Sequence, residues 1–183
     1  MIRLVVPPSA RIAWIALLCA APALAEHAGR AISSVDGMYA IRFVEVGPGK
    51  CRIEALKGQE VAWSLEQCLG TIDDIYLISQ DGERFWQIRA LPETPNRRKG
   101  EKVSPHFRAV VAVLYDKTGK ALRTKRLEDF LQRYRLGLVR QLGHHFKWLE
   151  GVMGIPGKGP RITDDNQVEF ETVAQKSHRL KFE

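Results

Sequence analysis

Short runs of alternating apolar and polar residues recur along the chain, which is the pattern of β-strands with one buried face. Residues 167–172 show it most clearly, because every second residue there is Gln or Glu. Similar strand candidates cover residues 38–46, 50–56, 61–65, 75–79, 84–91, 121–126 and 178–182. The pattern predicts a mainly β protein whose antiparallel hairpins form one sheet assembly, either a sandwich or blade-like, with an α+β fold as the alternative.

Turns that contain glycine separate these runs and predict hairpins. The Asp-Gly pair at residues 81–82 lies between two apolar runs, and glycine tolerates the positive φ that tight hairpin turns need. A three-residue loop at residues 58–60 would place Ile53 opposite Leu65. Residues 108–116 are apolar almost throughout, which is typical of a strand buried on both faces.

Beyond residue 126 the apolar period changes from that of a strand to that of a helix. Six apolar residues share one helical stripe: Leu127, Phe130, Leu131, Tyr134, Leu138 and Leu142. Glu128 and Asp129 at its start complement the helix dipole, and Gly143 behind it suits a C-terminal cap. The sequence therefore predicts one amphipathic helix within the β domain.

Residues 1–25 have the features of a cleavable export signal. Positive charge precedes an apolar run, and residues 23–25, Ala-Leu-Ala, are the small-residue pattern that signal peptidase recognises. The apolar run of about 14 residues is too short for a membrane anchor, which needs about 20. Lipid attachment at Cys19 is the other alternative. We expect cleavage before Glu26, a single domain over residues 26–183, and a periplasmic or extracellular location.

Two cysteines remain after this cleavage, Cys51 and Cys68. In an oxidising compartment such a pair predicts a disulfide, whose loop closure would stabilise the protein by about 3 kcal/mol. The hairpin register sets Cys51 opposite Gln67, so the strand must bulge or end before Cys68 for the sulfurs to meet. Two buried free thiols are the alternative.

Basic residues are concentrated in residues 117–161, which contain eleven Lys or Arg and three Asp or Glu. Such a segment can form a surface that attracts anions. The residues that we assign to this surface are Lys125, Arg126, Arg133 and Arg140. Outside the cytosol we expect an anionic envelope component or a protein partner, and no nucleic acid. A solvated basic face that maintains solubility is the alternative.

No motif in the sequence specifies a reaction. It contains no Gly-x-Ser-x-Gly nucleophile turn and no glycine-rich phosphate loop followed by Lys and Ser or Thr. His144 and His145 are adjacent and have no cysteine or carboxylate at a zinc-like spacing. We therefore expect no cofactor, no metal and no membrane-spanning segment after the signal.

Residues 113–123 form a strand, a turn and a returning strand, and they are followed by Leu-Glu-Asp-Phe-Leu at residues 127–131, by Trp148 and by a terminal hairpin. This stretch resembles the blade-type sheets of uncharacterised exported bacterial proteins. A full propeller needs four or more blades of about 40 residues each. The resemblance therefore implies an open or partly closed sheet assembly, and it implies no activity.

Three functional hypotheses follow. The first, which we favour, is an exported non-catalytic protein that binds a ligand or associates with the envelope. The second is a secreted enzyme of hydrolase type whose site is assembled only in the fold, with acid/base groups drawn from His106, His144, His145 and His178. The third is an inhibitor or accessory subunit with residues 92–105, a Pro-rich loop, as its contact. A histidine beside a carboxylate in a cleft would favour the enzyme.

Overall fold

The computed structural model describes residues 27–183, and the sequence-based predictions for the signal, Cys19 and the cleavage position before Glu26 lie outside this range. The described chain is mainly β, and its strands pair as antiparallel neighbours. This confirms the fold class predicted from the alternating pattern. The strands form three principal sheets, which we name sheet I, sheet II and sheet III in chain order, and one small hairpin.

Sheet I contains β1 (His27–Ala28), β2 (Ile32–Ser33), β3 (Tyr39–Gly47), β4 (Lys50–Lys57) and β5 (Glu60–Leu65). Strands β1 and β2 both pair with β3, and the order continues through β4 to β5. Ile53 lies opposite Leu65, as the sequence predicts. Because β5 ends at Leu65, the chain is free to turn back toward β4, which answers the register difficulty at Gln67.

Sheet II contains β6 (Ile75–Ile78), β7 (Arg84–Ile88), β8 (Val110–Asp116) and β9 (Ala121–Arg126), in that order. The turn between β6 and β7 uses Gly82 at φ +73°, which confirms the hairpin predicted from the Asp-Gly pair. Its central strand β8 is buried along nearly all its length. Its edge strand β9 is mostly exposed.

The remaining strands follow in the last third of the chain. A two-stranded hairpin joins β10 (Arg140–Leu142) to β11 (His145–Lys147). Sheet III contains β12 (Arg161–Ile162), β13 (Gln167–Thr172) and β14 (Lys176–Lys181). Burial alternates residue by residue along β13, as its sequence pattern predicts. Three short 3-10 helices complete the described chain: Pro105–Arg108, Leu127–Asp129 and Arg133–Leu138.

The predicted amphipathic helix takes a shorter and tighter form than its six-residue stripe suggests. Residues 127–142 are divided between the 3-10 helices Leu127–Asp129 and Arg133–Leu138 and strand β10. The first part of the stripe is buried, whereas Tyr134 and Leu138 are 76% and 48% exposed. Only one end of the stripe therefore reaches the core, and the other end pairs with β11 through backbone hydrogen bonds.

Sheet II is the middle layer of the protein. Its Tyr76, Phe85 and Tyr115 belong to one apolar core, shared with sheet I. Its Trp86 and Leu114 belong to a second core, shared with sheet III and with the segments around the 3-10 helices. Burial from both sides explains why the sequence of β8 is continuously apolar, since neither of its faces meets water.

The interface between sheets I and II becomes polar at one end. Gln87 and Arg89 follow Phe85 at alternate positions and therefore share its face of the sheet. The backbone stays extended for one residue past the end of β7, because the Arg89 N–H donates a hydrogen bond to the Val111 carbonyl of β8. A cleft opens beside Arg89.

Candidate functional site

A cleft of about 900 Å³ lies at this polar end. It is lined by the loop that leads into β6, the segment after β7, residues 108–110, and the turn between β10 and β11. Its charged or titratable lining residues are Asp74, Arg89, Glu93, Arg108, His144 and His145. The volume falls within the range of small-molecule sites in proteins, about 300 to 1,000 Å³.

Asp74 is anchored at the cleft by two hydrogen bonds to the same oxygen. Its Oδ2 accepts from Gln87 Nε2 at 2.7 Å and from the Thr71 backbone N–H at 3.1 Å. Burial raises the pKa of the Asp74 carboxyl, while the hydrogen bonds and the positive charge of Arg89 act in the opposite direction. Gln87 is fully buried, and its Oε1 has no hydrogen-bond partner among the described residues.

Residues 68–71 form a partition between this cleft and a second pocket of about 400 Å³. Tyr76 fixes the partition, because its hydroxyl donates to the carbonyl oxygens of Leu69 at 2.9 Å and Thr71 at 3.0 Å. Burial raises the pKa of Tyr76, so its hydroxyl keeps its proton. Gly70 has a φ of +106° and sits directly against Asp74 and Tyr76.

Arg89 is the positive charge of the cleft that has no partner of its own. It is half-buried, and within residues 27–183 its side chain makes no hydrogen bond and no ion pair. It still acts electrostatically on Asp74, Tyr76 and Tyr115, where its charge partly offsets the rise in pKa that burial causes in each. A guanidinium in this position offers several N–H donors to a group inside the cleft.

Arg108, in contrast, is neutralised by its neighbours. Its Nε donates to Glu101 Oε1 at 2.7 Å, and its Nη2 donates to the Asn96 carbonyl at 2.8 Å. Hydrogen bonds from Arg108 lower the pKa of Glu101 to about 2. The pair holds the far end of the loop at residues 92–105 and contributes little net charge to the cleft.

The other end of this loop is also tied down. The Thr94 backbone N–H donates to the His144 carbonyl at 2.7 Å, and the Phe146 N–H donates to the Pro92 carbonyl at 3.2 Å. The loop therefore forms a wall of the cleft. Residues 96–100 of the loop are exposed, and its role as the contact of an inhibitor or accessory subunit stays a prediction.

The four candidate histidines lie in three different places. His144 and His145 are exposed at the β10–β11 turn and line the cleft, with His145 Nδ1 3.1 Å from the Leu91 carbonyl. His106 bonds to Ser104 and Gln141, and the ring of His178 lies among the aromatic side chains beneath sheet III. In the described part of the chain no hydrogen bond joins a histidine to a carboxylate.

The four residues of the predicted anion-binding surface lie on three separate segments. Lys125 and Arg126 end the edge strand β9, Arg133 begins a 3-10 helix, and Arg140 begins β10. All are exposed except Lys125, which is half-buried. Arg126 has an ion-pair partner, Glu128, at 3.7 Å. Their role in binding anions stays a prediction.

Cys51 and Cys68 lie within disulfide distance, with their Cα atoms 5.0 Å apart. Cys51 lies on β4 and Cys68 begins the partition, so the bond would fasten the wall of the cleft to sheet I. Among residues 27–183 no group of three or more metal-ligating side chains comes together. No helix in the same range is long and apolar enough to cross a membrane.

Sequence reasoning missed the residues that shape the cleft floor. Asp74 looked like part of a turn before a strand, and Gln87 and Arg89 belong to a run assigned only as a hairpin strand. Gln87 did carry a signal, since a glutamine in the middle of a buried β run requires a buried hydrogen-bond partner. The identity of that partner, 13 residues earlier in the chain, depends on the hairpin register.

The described chain is a mainly β protein of antiparallel sheets with a polar cleft beside sheet II. No protein-family model, curated protein or solved structure matches the chain. The resemblance to exported bacterial proteins with blade-type sheets therefore stays a prediction.

Proposed function

We propose that the protein is an exported, non-catalytic binding protein whose cleft holds an anionic group of its ligand. The observation that supports this most directly is Arg89, a half-buried guanidinium that lines the cleft without a partner among the described residues. Burying a charge without a partner is costly, so a site of this kind is complementary to a ligand of opposite charge.

The ligand group that suits Arg89 is a carboxylate. A planar guanidinium can donate two parallel hydrogen bonds to a carboxylate, and such bonds are about twice as strong as neutral ones. The exposed imidazoles of His144 and His145 supply further donors at the rim. An anionic envelope component that carries carboxylates fits this arrangement and the exported location that we propose.

A hydrolase would need a nucleophile or a base held by an orienting group. The described cleft residues include no histidine bonded to a carboxylate, and the Asp74 oxygen that accepts hydrogen bonds is held by an amide and a backbone N–H. This arrangement favours binding over catalysis. The proposal accordingly predicts that a bound ligand is released chemically unchanged.

Calorimetric titration with small carboxylates tests the proposal. Uronic acid oligomers, N-acylated amino acids and short acidic peptides would each be compared with their methyl esters, which have the same shape without the charge. We expect at least one acid to bind and its ester to bind at least tenfold more weakly. Arg89→Gln should remove this preference. Arg123→Gln, at an exposed position of the edge strand β9, removes the same charge outside the cleft and should leave binding unchanged.

If Arg89→Gln binds the acids as the native protein does, the cleft is not the anion site and the proposal fails. If mass spectrometry finds a ligand cleaved after incubation, the enzyme hypothesis replaces it. The location is tested separately by the mass of the exported protein, which should begin at Glu26. Retention of residues 1–25, or a lipid on Cys19, would contradict that part.

A further inference from the structure

We infer that the cleft recognises an α-amino acid centre, in which one carbon carries both a free ammonium and a free carboxylate. The inference rests on the proposed function and adds a second charge to the ligand. Arg89 would bind the carboxylate and Asp74 the ammonium. The two residues both line the cleft, yet they do not form an ion pair with one another.

Their proximity follows from the hairpin register. Ile75 pairs with Ile88 at the start of β6, and Asp74 and Arg89 are the next residues, one position beyond this last pair. Both side chains line the cleft, and the positive charge of Arg89 acts electrostatically on the Asp74 carboxyl. Both side chains also point to the same face of sheet II, because they continue the alternation of Tyr76 and Gln87.

Despite this closeness, Asp74 and Arg89 form no ion pair within the described structure. The Asp74 carboxylate is instead turned along the strand toward Gln87, and Gly70 leaves space for that arrangement. The hydrogen bonds to Oδ2 hold it there. Two opposite charges thus line one cleft a short distance apart, which is the complement of a zwitterion.

The size of the cleft adds a condition on the rest of the ligand. About 900 Å³ exceeds what one small amino acid fills. The amino acid centre is therefore expected at one end of a larger molecule. In a γ-glutamyl dipeptide, the glutamate keeps its α-ammonium and α-carboxylate on one carbon while its side chain carries the second residue.

The test uses γ-glutamyl-leucine and three relatives, each titrated into the native protein. N-acetyl-γ-glutamyl-leucine lacks the ammonium, and the α-amide lacks the α-carboxylate. The ordinary α-linked Glu-Leu has the same composition but separates its ammonium from both carboxylates. We expect γ-glutamyl-leucine to bind at least tenfold more tightly than each of these.

Variants assign the two charges. Asp74→Asn keeps an oxygen that can accept the hydrogen bonds of Gln87 and Thr71, and it removes the negative charge. This variant should bind γ-glutamyl-leucine and N-acetyl-γ-glutamyl-leucine equally tightly. Asp73→Asn, at the exposed neighbouring position, is the matched control and should behave as the native protein. Circular dichroism of each variant establishes that it is folded.

Three results would overturn the inference. One is that γ-glutamyl-leucine and its N-acetyl form bind the native protein equally tightly, while Arg89→Gln weakens the binding of both. The cleft would then bind a carboxylate, as the proposed function states, but it would not recognise the ammonium. Another is an unchanged preference in Asp74→Asn. The third is failure of all four probes to bind up to roughly 10 mM, in which case the proposed function is judged by the carboxylate panel alone.

Discussion

The backbone of Gly70 lies directly against the side-chain amide of Gln87. A methyl group on Gly70 would overlap Gln87 Nε2 and would come within 2.5 Å of Asp74 Oδ2. We predict that Gly70→Ala lowers the free energy of unfolding by about 2 to 4 kcal/mol, because left-handed backbone strain adds to the displacement of buried polar groups. Urea denaturation measures the change.

Gly100→Ala is the matched control for this variant. Gly100 also has a positive φ, +77°, but a Cβ there would meet nothing within 4 Å. Its cost should therefore be the backbone strain alone, about 1 kcal/mol. Equal losses in the two variants would show that the packing of Gly70 against Gln87 contributes nothing.

The bond between Cys51 and Cys68 should stabilise both the fold and the partition beside the cleft. Reduction, or replacement of both cysteines by serine, is expected to lower the midpoint of thermal unfolding by several degrees, since closing this loop contributes about 3 kcal/mol. Calorimetry with and without reductant measures it. Two titratable thiols in the native, air-exposed protein would contradict the prediction.

His178 should make the stability of the protein depend on pH. Burial lowers its pKa, with a smaller contribution from Lys176, and its ring lies against Phe130 and Phe170. The unfolded chain, where histidine titrates near 6.5, therefore binds the proton more readily. The stabilisation is present above about pH 6.5 and is lost as the pH falls toward the lower pKa of the folded state.

His178→Phe should flatten this dependence, because phenylalanine keeps the aromatic packing and cannot take up a proton. Urea midpoints between pH 7.5 and about 5.5 would measure it, above the range in which unperturbed carboxylates titrate. His144→Gln, at the exposed β10–β11 turn, should retain the slope of the native protein. The prediction is wrong if both variants retain it.

The predicted anion-binding surface requires its own test, apart from the cleft. If its residues act together, anionic lipid vesicles or acidic polysaccharide should bind at low salt and dissociate as salt rises past about 0.15 M, where the Debye length is about 8 Å. The variant with Gln at all four positions should lose this binding: Lys125, Arg126, Arg133 and Arg140. A control with Gln at four other exposed positions should keep it: Lys50, Lys57, Lys99 and Lys102. Equal binding by both variants would leave only a solvated basic face.

Local patterns in the sequence were sufficient for most of the strands. The alternation in residues 167–172 and the Asp-Gly turn at 81–82 specify neighbours only a few residues apart, and both predictions are confirmed. The stripe that begins at Leu127 was harder to interpret. Periodicity shows which residues could share a face, but it does not show how much of that face the core reaches, and here Tyr134 and Leu138 remain exposed.

The cleft depends on contacts that no local pattern contains. Asp74 reaches Gln87 across a hairpin, and the wall at residues 92–105 is held by His144, about 50 residues further along the chain. Each of these pairs forms only after sheets and loops have been placed. The sequence shows which polar residues are present, whereas the tertiary structure determines which of them come into contact.

The middle position of sheet II also brings together segments that are far apart in the sequence. Trp86 Nε1 donates to the Lys181 carbonyl at 3.1 Å, and Arg84 donates to the Phe182 carbonyl at 2.7 Å. One face of the central layer is therefore closed by residues 181–182, which lie 95 or more residues further along the chain than the side chains that bond to them. The core on this face therefore depends on contacts between residues that are distant in the sequence, and such contacts form late and slow the folding of β proteins.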